Sequence, residues 1–402
     1  VKVRTYKYRL YPTKEQEVLI AKTFGCVRFI YNRCLALKSE AFQSETKENI
    51  SLFALANRLS GWKDEEDTKW LAEVNSQSLQ MAIRNLDNAY TRFFREKKGF
   101  PKFKNRFDAQ SFCNPQSTKV DWDAGRVFIP KFKAGIKAKL HRRFDGVVKS
   151  SVVSRSASGQ YFIAIVVEEA GEELSVTPSR EETCVGIDLG IKTYVTLSDG
   201  TEVANPKHLA KKLRKLRRAS RRHSRSQKGG KNREKRRRVL AVCHRRVSDA
   251  RKDFLHKLTH RLVENQDYQS FAIETLGVRD MMKGRLARSI ADAAWGTFST
   301  FLQYKAKRAG KEVVQIGQFE PSSRMCDGCG VVNSALTLKD REWTCSCGKN
   351  HSRDLLAARN IKRFAFCKQD VVGAERPKQG RKTRKPVERP VRGAVKQEAA
   401  SL

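Results

Sequence analysis

Apolar and charged residues alternate at the start of the chain. Val1, Val3, Tyr6, Tyr8 and Leu10 stand among Lys and Arg, and the pattern stops at Tyr11-Pro12. A period near two predicts one strand with one buried face. From Thr13 the period changes: Val18, Leu19, Phe24, Val27, Ile30, Tyr31 and Leu35 recur at helical spacing to about Phe42, which predicts one long helix or two. A second helix is expected near 51–59. Leu79, Ile83, Leu86, Tyr90 and Phe93 draw an apolar stripe along a third, over 76–96, stopped by Gly99-Phe100-Pro101.

Between 110 and 169 the pattern reverts to short strands, at 127–129, 147–153 and 161–167, with turns at Asp123-Ala124-Gly125 and Ser158-Gly159. One strand cannot bury itself, so the opening strand is expected to pair with these in a small β-barrel, with the helical segment inserted between. Cys184–Gly200 reads as strand, turn, strand. Short strands at 270–273 and 313–316 flank a helical stretch over 290–310, with a polar loop at 280–288. Such alternation predicts an α/β unit from about 183 to 367. The last 35 residues, 368–402, are basic, contain Pro377, Pro386 and Pro390, and read as a disordered tail.

Charge narrows the class of partner. The 402 residues carry 82 Lys and Arg against 43 Asp and Glu, a formal +39, far beyond what solubility needs and suited to a polyanion. Much of it is concentrated: Lys207–Lys252 holds 21 basic residues against Glu234 and Asp249 only. Leu209, Leu213 and Leu216 before Gly229-Gly230, and Val239, Leu240 and Val242 after it, predict two basic helices in a hairpin. Such a hairpin repels itself unless phosphates neutralise it, so Lys211, Lys212, Arg214, Arg217, Arg218, Arg221 and Arg222 are candidate nucleic-acid contacts. Lys102 and Lys104, interleaved with Phe100 and Phe103, form a second candidate surface. The longest apolar run, 161–167, is too short to span a bilayer, and no signal-type apolar segment opens the chain; a cytoplasmic protein without a membrane partner is expected.

Candidate chemistry lies in two groups. Asp188, Glu274 and Asp354 each stand in or beside an apolar segment where an unpaired carboxylate is costly. Taken singly, they read as a turn residue, a strand-end ion pair and a helix cap. Taken together, they supply the hard oxygen donors that phosphodiester hydrolysis with two Mg²⁺ requires. Cys326-x-x-Cys329 and Cys345-x-Cys347 have the ligand type and spacing of one structural Zn²⁺ site, a zinc ribbon whose second knuckle is one residue short. His351 could substitute for one thiolate, but is expected rather to position the acid-bearing loop or to stay solvated. Six other cysteines are scattered and read as small core residues.

Several segments together carry a family likeness: Gly186-Ile187-Asp188-Leu189-Gly190, Ile273-Glu274, Ser289 to Phe298, Pro321-Ser322-Ser323, and His351-Ser352-Arg353-Asp354 through Ala357-Ala358-Arg359-Asn360-Ile361. With Arg9-Leu10-Tyr11-Pro12 and Gly99-Phe100-Pro101-Lys102-Phe103, the chain resembles TnpB, the insertion-sequence proteins akin to type V CRISPR effectors. The resemblance implies an α+β multidomain protein: a wedge barrel (1–12 and 110–178), a helical recognition module (13–109), a split RuvC-type nuclease of RNase H fold (179–320 and 351–367, with the basic hairpin about 206–262) and a zinc ribbon (321–350). It also implies Mg²⁺-dependent cleavage of double-stranded DNA by Asp188, Glu274 and Asp354. A guide RNA from the transposon end would direct the cut, one chain per RNA, and the segment Ser76-Gln77-Ser78-Leu79-Gln80 would read part of an adjacent DNA motif, with Gln80 either in a bidentate contact to adenine or simply exposed. The chain departs from the pattern at Ser352, where relatives commonly have Asp. A guided repressor without cleavage would be expected to lack one of the three acids, and a His-x-His transposase motif is not found.

Overall fold

The structure is a computed structural model that describes residues 2–44, 48–171, 174–337 and 340–367. The expected tail, 368–402, lies outside the described residues. Strand β1 (Lys2–Tyr11) leads into a single helix α1 (Lys14–Gln43), capped where the Thr13 side chain accepts the Gln16 N–H and Gln16 returns the bond to the Thr13 N–H. Helix α2 (Leu52–Asp64), a 3-10 segment at Glu66–Glu73 that the periodicity does not predict, and α3 (Ser76–Glu96) follow. Six strands come next: β2 (Gln110–Asn114), β3 (Lys119–Asp121), β4 (Arg126–Phe128), β5 (Ile136–Lys139), β6 (Val147–Arg155) and β7 (Tyr161–Glu169).

These six strands and β1 form one sheet in the order β2-β6-β7-β1-β5-β4-β3. The opening strand lies at its centre, antiparallel to β7 over its whole length, with Tyr6 opposite Ile165 and Tyr8 opposite Ile163. The expected barrel is not closed: β2 and β3 remain edges, and β3 and β4 have three residues each. Helices take the place of closure. Ile20, Phe24, Ile30, Leu79 and Ile83 share one continuous core with Tyr8, Phe112, Ile163 and Ile165, so α1 and α3 cover the face that a closed barrel would have turned inward.

The second sheet, β10-β9-β8-β11-β12, is built from β8 (Cys184–Leu189), β9 (Thr193–Leu197), β10 (Glu202–Ala204), β11 (Ser270–Glu274) and β12 (Glu312–Ile316). β8, β11 and β12 are parallel; β9 and β10 run antiparallel. Between β10 and β11 stand the basic helices α4 (His208–Ser224) and α5 (Lys231–Glu264). Between β11 and β12, the expected polar loop contains a short α6 (Val278–Met281), and the expected single helix is two, α7 (Ala287–Ala293) and α8 (Trp295–Arg308). A side chain distant in sequence marks the break: the buried Tyr194 hydroxyl donates to the Ala293 carbonyl (2.9 Å), Ala294 turns left-handed (φ 53°), and the Thr297 N–H bonds to the Ala294 carbonyl instead. A hairpin of β13 (Glu342–Thr344) and β14 (Asn350–Ser352) carries the later cysteines and runs directly into α9 (Arg353–Cys367). Among the described residues no helix is long and apolar enough to cross a membrane.

Helix α9 lies across β8 and β11 on small residues. Ala272, Ile361 and Ala365 pack together, and Gly186 meets the helix backbone so closely that a Cβ there would drive into the Ala358 carbonyl oxygen and lie 2.9 Å from the Lys362 nitrogen. Neither neighbour is a side-chain tip that can swing away. Gly186→Ala should therefore destabilise the chain by roughly 2–4 kcal/mol, in the range of severe core overpacking. Chemical denaturation would check this; a loss below about 0.5 kcal/mol would show that α9 is not seated there.

Candidate active site and metal centre

The crossing of α9 over β8 determines where the acids meet. Gly186 and Asp188 point to the same face of β8, two residues apart, while Ala358 and Asp354 lie one helical turn apart on α9. With Ala358 over Gly186, the start of α9 is brought to Asp188. β11 supplies the third group: its parallel register pairs Ile187 with Ile273, so Glu274 follows beside Asp188 one step on. Three segments distant in sequence thus bring their carboxylates into one neighbourhood.

Electrostatics records that proximity. Burial, followed by the charges of Asp354 and Glu274, pushes the Asp188 carboxyl up to about 7, against relief from Arg353 and the Leu189 N–H. Burial alone pushes Glu274 up to about 7. Asp354 lies in the first turn of α9, where it is bound by Arg341 Nη1 at 3.0 and 3.4 Å. That differs from the helix-cap reading: its partner is a guanidinium from the ribbon. Arg353 is fixed from the same side, donating to the Thr337 and Asp340 carbonyls and toward Ser323 Oγ. Carboxylate oxygens are the donors a hard divalent ion takes, so the residue types fit Mg²⁺, with Arg341 and Arg353 beside two of the three acids.

The four ribbon cysteines form a cluster whose sulfurs all lie within 4.8 Å of one another. Cys326 and Cys347 Sγ are 3.7 Å apart, Cys329 and Cys345 Sγ 3.5 Å. A tetrahedron with Zn–S bonds of about 2.3 Å sets sulfurs about 3.8 Å apart, so the residues fit zinc, the shortened second knuckle included. Backbone N–H groups within the knuckles lower the thiols of Cys326 and Cys345, to about 7 and about 6. His351 is buried rather than solvated: Nε2 lies 3.2 Å from Cys326 Sγ and Nδ1 faces Asp327 at 3.7 Å, while Asp327 also meets Lys349 at 2.6 Å and Arg359 at 3.6 Å. His351 orients a thiolate and, two residues before Arg353, ties the metal cluster to the start of α9. Arg341, Asp327 and Arg353 were missed in the sequence because their roles appear only once the hairpin folds back.

The candidate nucleic-acid contacts are spread over several surfaces. Lys211, Arg214, Arg217, Arg218, Arg221 and Arg222 are exposed on α4, whereas Lys212 is half-buried and donates to the Arg246 carbonyl (3.0 Å), tying α4 to α5. A cleft of about 1080 Å³ separates α5 from the first sheet, lined by Lys7, Arg9, Lys139, Arg245 and Lys252. Arg245 bridges it to Ser158 Oγ at 3.1 Å. Lys7 and Arg9 alternate with buried Tyr6, Tyr8 and Leu10, so the sequence already held that signal. Gln77 lines a hollow with Lys119 and Lys131, while Gln80 is exposed and Ser76 receives the Lys63 ammonium. Lys102 and Lys104 are both exposed, and Lys104 sets its Nζ 3.8 Å from the centre of the Tyr31 ring.

Protein purified without chelator should hold one zinc per chain, and Cys326→Ser should lose most of it with a fall in thermal midpoint. Elemental analysis finding no zinc in the unaltered chain would refute the ribbon as a zinc site.

Comparisons place this geometry among known proteins. Residues 164–285 match a family described as "Probable transposase", residues 295–361 a Cas12f1-like TNB domain, and residues 3–47 a helix-turn-helix domain. That last description does not fit the segment, which is one strand followed by one unbroken helix. A protein of Streptomyces pristinaespiralis named "Putative RNA-guided DNA endonuclease" is 40% identical over 362 residues, 89% of this chain and 88% of that protein. InsQ of Escherichia coli (strain K12), with the same description, is 32% identical over 90% of this chain and 92% of its own. A solved complex of Cas12f1 with guide RNA and target DNA shares the fold at a TM-score of 0.54 and 15% identity, covering 90% of this chain and 98% of the other. With likeness of this extent across both sheets and the ribbon, the chain belongs to the TnpB family, the OrfB proteins of IS605-type insertion sequences.

Proposed function

We propose that the protein is an RNA-guided endonuclease that cuts double-stranded DNA beside a short fixed motif, as the names of its relatives suggest. The observation that carries the reading is the convergence of Asp188, Glu274 and Asp354 from β8, β11 and α9. The sheet order supports an RNase H-like, RuvC-type nuclease: a parallel β8-β11-β12 flank, an antiparallel β9-β10 flank, and a helix across the central strands. In this reading residues 1–12 with 110–178 are the wedge, 13–109 the recognition module, 179–320 with 351–367 the nuclease and 321–350 the ribbon.

Asp188, Glu274 and Asp354 would hold two Mg²⁺. Bound divalent ions supply Lewis acidity at the phosphate and make a coordinated water acidic enough to attack near neutral pH. The protein's own groups do the rest. The fold holds three carboxylates in place before substrate arrives, and the ribbon secures the start of α9 through His351 and Arg353. With divalent ions held by Asp354, Arg341 would be free to meet a phosphate oxygen. The exposed arginines of α4 and the cleft beside α5 bind guide RNA and the guide–target duplex by their phosphates, without reading sequence. Gln77 and its neighbouring lysines are placed to read the motif, one chain serving one RNA.

The test is to purify the chain from cells carrying its flanking DNA, sequence the co-purified RNA, and add Mg²⁺ with plasmids bearing a matched target beside randomised bases. Cleavage beside one motif, reduced to background by Asp188→Asn while the RNA is retained, is the expected result. Specific binding without cleavage by the unaltered chain would favour a guided repressor, and no specific RNA would overturn the reading.

A further inference from the structure

A second cavity, of about 930 Å³, lies in the helical segment far in sequence from the acids. Its walls are α1, the 3-10 segment and the strap at 100–104, and its rings are Phe29, Trp70 and Phe103. Phe29 and Trp70 meet edge to face at 5.1 Å, and the Trp70 Nε1–H is already satisfied by the Asp67 carbonyl (2.9 Å), so no indole hydrogen-bond donor is left for a ligand. Trp70 is 38% exposed and Phe103 60%, both large for rings of a folded protein.

The strap is fixed rather than loose. Asn32 on α1 grips the backbone of Lys104 with both atoms of its side-chain amide: its Nδ2 donates to the Lys104 carbonyl (2.9 Å), and its Oδ1 accepts the Lys104 N–H (2.8 Å). Lys104 also lies on the Tyr31 ring. This double bond pattern holds Phe103 over the mouth of the cavity.

Charge selects the occupant. Two cations of the lining are already neutralised, Lys22 by Glu73 and Arg33 by a two-point pair with Glu65 at 2.9 and 3.1 Å. Arg28, on the lining, and Lys102, on the strap, have no partner among the described residues. An aromatic interior with free cations at its border suits a flat, uncharged heterocycle linked to phosphates. We infer that this cavity receives an unpaired nucleobase of a bound nucleic acid, stacked against Trp70 and Phe103, with its flanking phosphates on Arg28 and Lys102. This rests on the guided-nuclease reading only for the source of the base, which is either the DNA strand displaced by the guide or an unpaired stretch of the guide RNA.

Gly25 provides a clean test. It lies on the cavity wall within α1, and a Cβ built there meets nothing within 4 Å. Gly25→Phe should therefore fill the cavity without disturbing its neighbours, and leave the thermal midpoint unchanged or raised, since glycine is a poor helix former. Full-length Asp188→Asn protein with its co-purified RNA would be bound to target DNA carrying 5-iodouracil at successive positions of the displaced strand, and in parallel to guide RNA carrying the same base. After irradiation the crosslinked peptides would be sequenced. The expected result is a crosslink to Trp70 or Phe103 from one or two adjacent positions, its yield falling roughly 10- to 100-fold in Gly25→Phe and also in Phe103→Ala. The strand that crosslinks names the source. No crosslink to either ring from any strand, or a yield unchanged in Gly25→Phe, would overturn the inference. Should no RNA co-purify, a free single-stranded oligonucleotide with the same base tests the same cavity, so failure of the cavity and failure of the guided reading remain separate.

Discussion

Like charges held together in a partly buried corner of the fold are the constraint around which this molecule is arranged. Asp188 and Glu274 are pushed up toward neutrality by burial, and Asp188 also by the acids facing it. In a chain with a formal +39, cations to relieve them would be easy to supply, yet among the described residues Arg353 and Arg341 are the ones that come near. The positive charge is placed elsewhere, on α4, α5 and the cleft beside β1. Repulsion within the acid group is compensated by the rest of the fold, chiefly by α9 lying on Gly186 and Ala272. Two guanidiniums leave part of that charge uncompensated, which suits the site to bind cations from outside.

The ribbon acquires a purpose in this setting. Its hairpin leads without a linker into α9, and His351 joins Cys326 to the carboxylate of Asp327 while Arg353, two residues later, is bonded to ribbon carbonyls. The sulfur cluster thus acts as an anchor for the helix that carries Asp354. Arg341, from the same ribbon, shields that acid in the absence of metal. The position of Asp354 and its guanidinium partner both come from the small domain.

Much of this was legible in the sequence because it is local. The period-two opening strand, the apolar stripe over 76–96, the basic hairpin and the paired cysteines each announce themselves within a few turns of chain. What was not legible depends on distant contacts. The barrel stays open because α1 and α3 cover its face, which no strand pattern reveals. Helix 290–310 breaks where Tyr194, about a hundred residues earlier, takes the Ala293 carbonyl. Arg341 reads as one more basic residue until the hairpin brings it to Asp354, and Asn32 as an ordinary helix residue until it grips Lys104. Singly, each of the three acids had an ordinary structural explanation; their grouping as oxygen donors came from their apolar settings, and the family likeness then singled out the same three.

The most direct test of the central claim is the thermal and chemical stability of the metal-free chain against pH, for the unaltered protein and for Asp188→Asn. A carboxyl raised in the folded state binds protons there that the unfolded chain has released, so it lowers stability progressively as pH rises from about 4 to about 7, with the full penalty above that. Asp188→Asn should therefore be the more stable form at pH 8 in chelator, on the order of 1–3 kcal/mol, the two should converge toward pH 4, and Mg²⁺ or Mn²⁺ should restore the unaltered chain but not the variant. Equal stability at pH 8 with no response to divalent ions would contradict the claim that these carboxylates are held together as an ion-binding site.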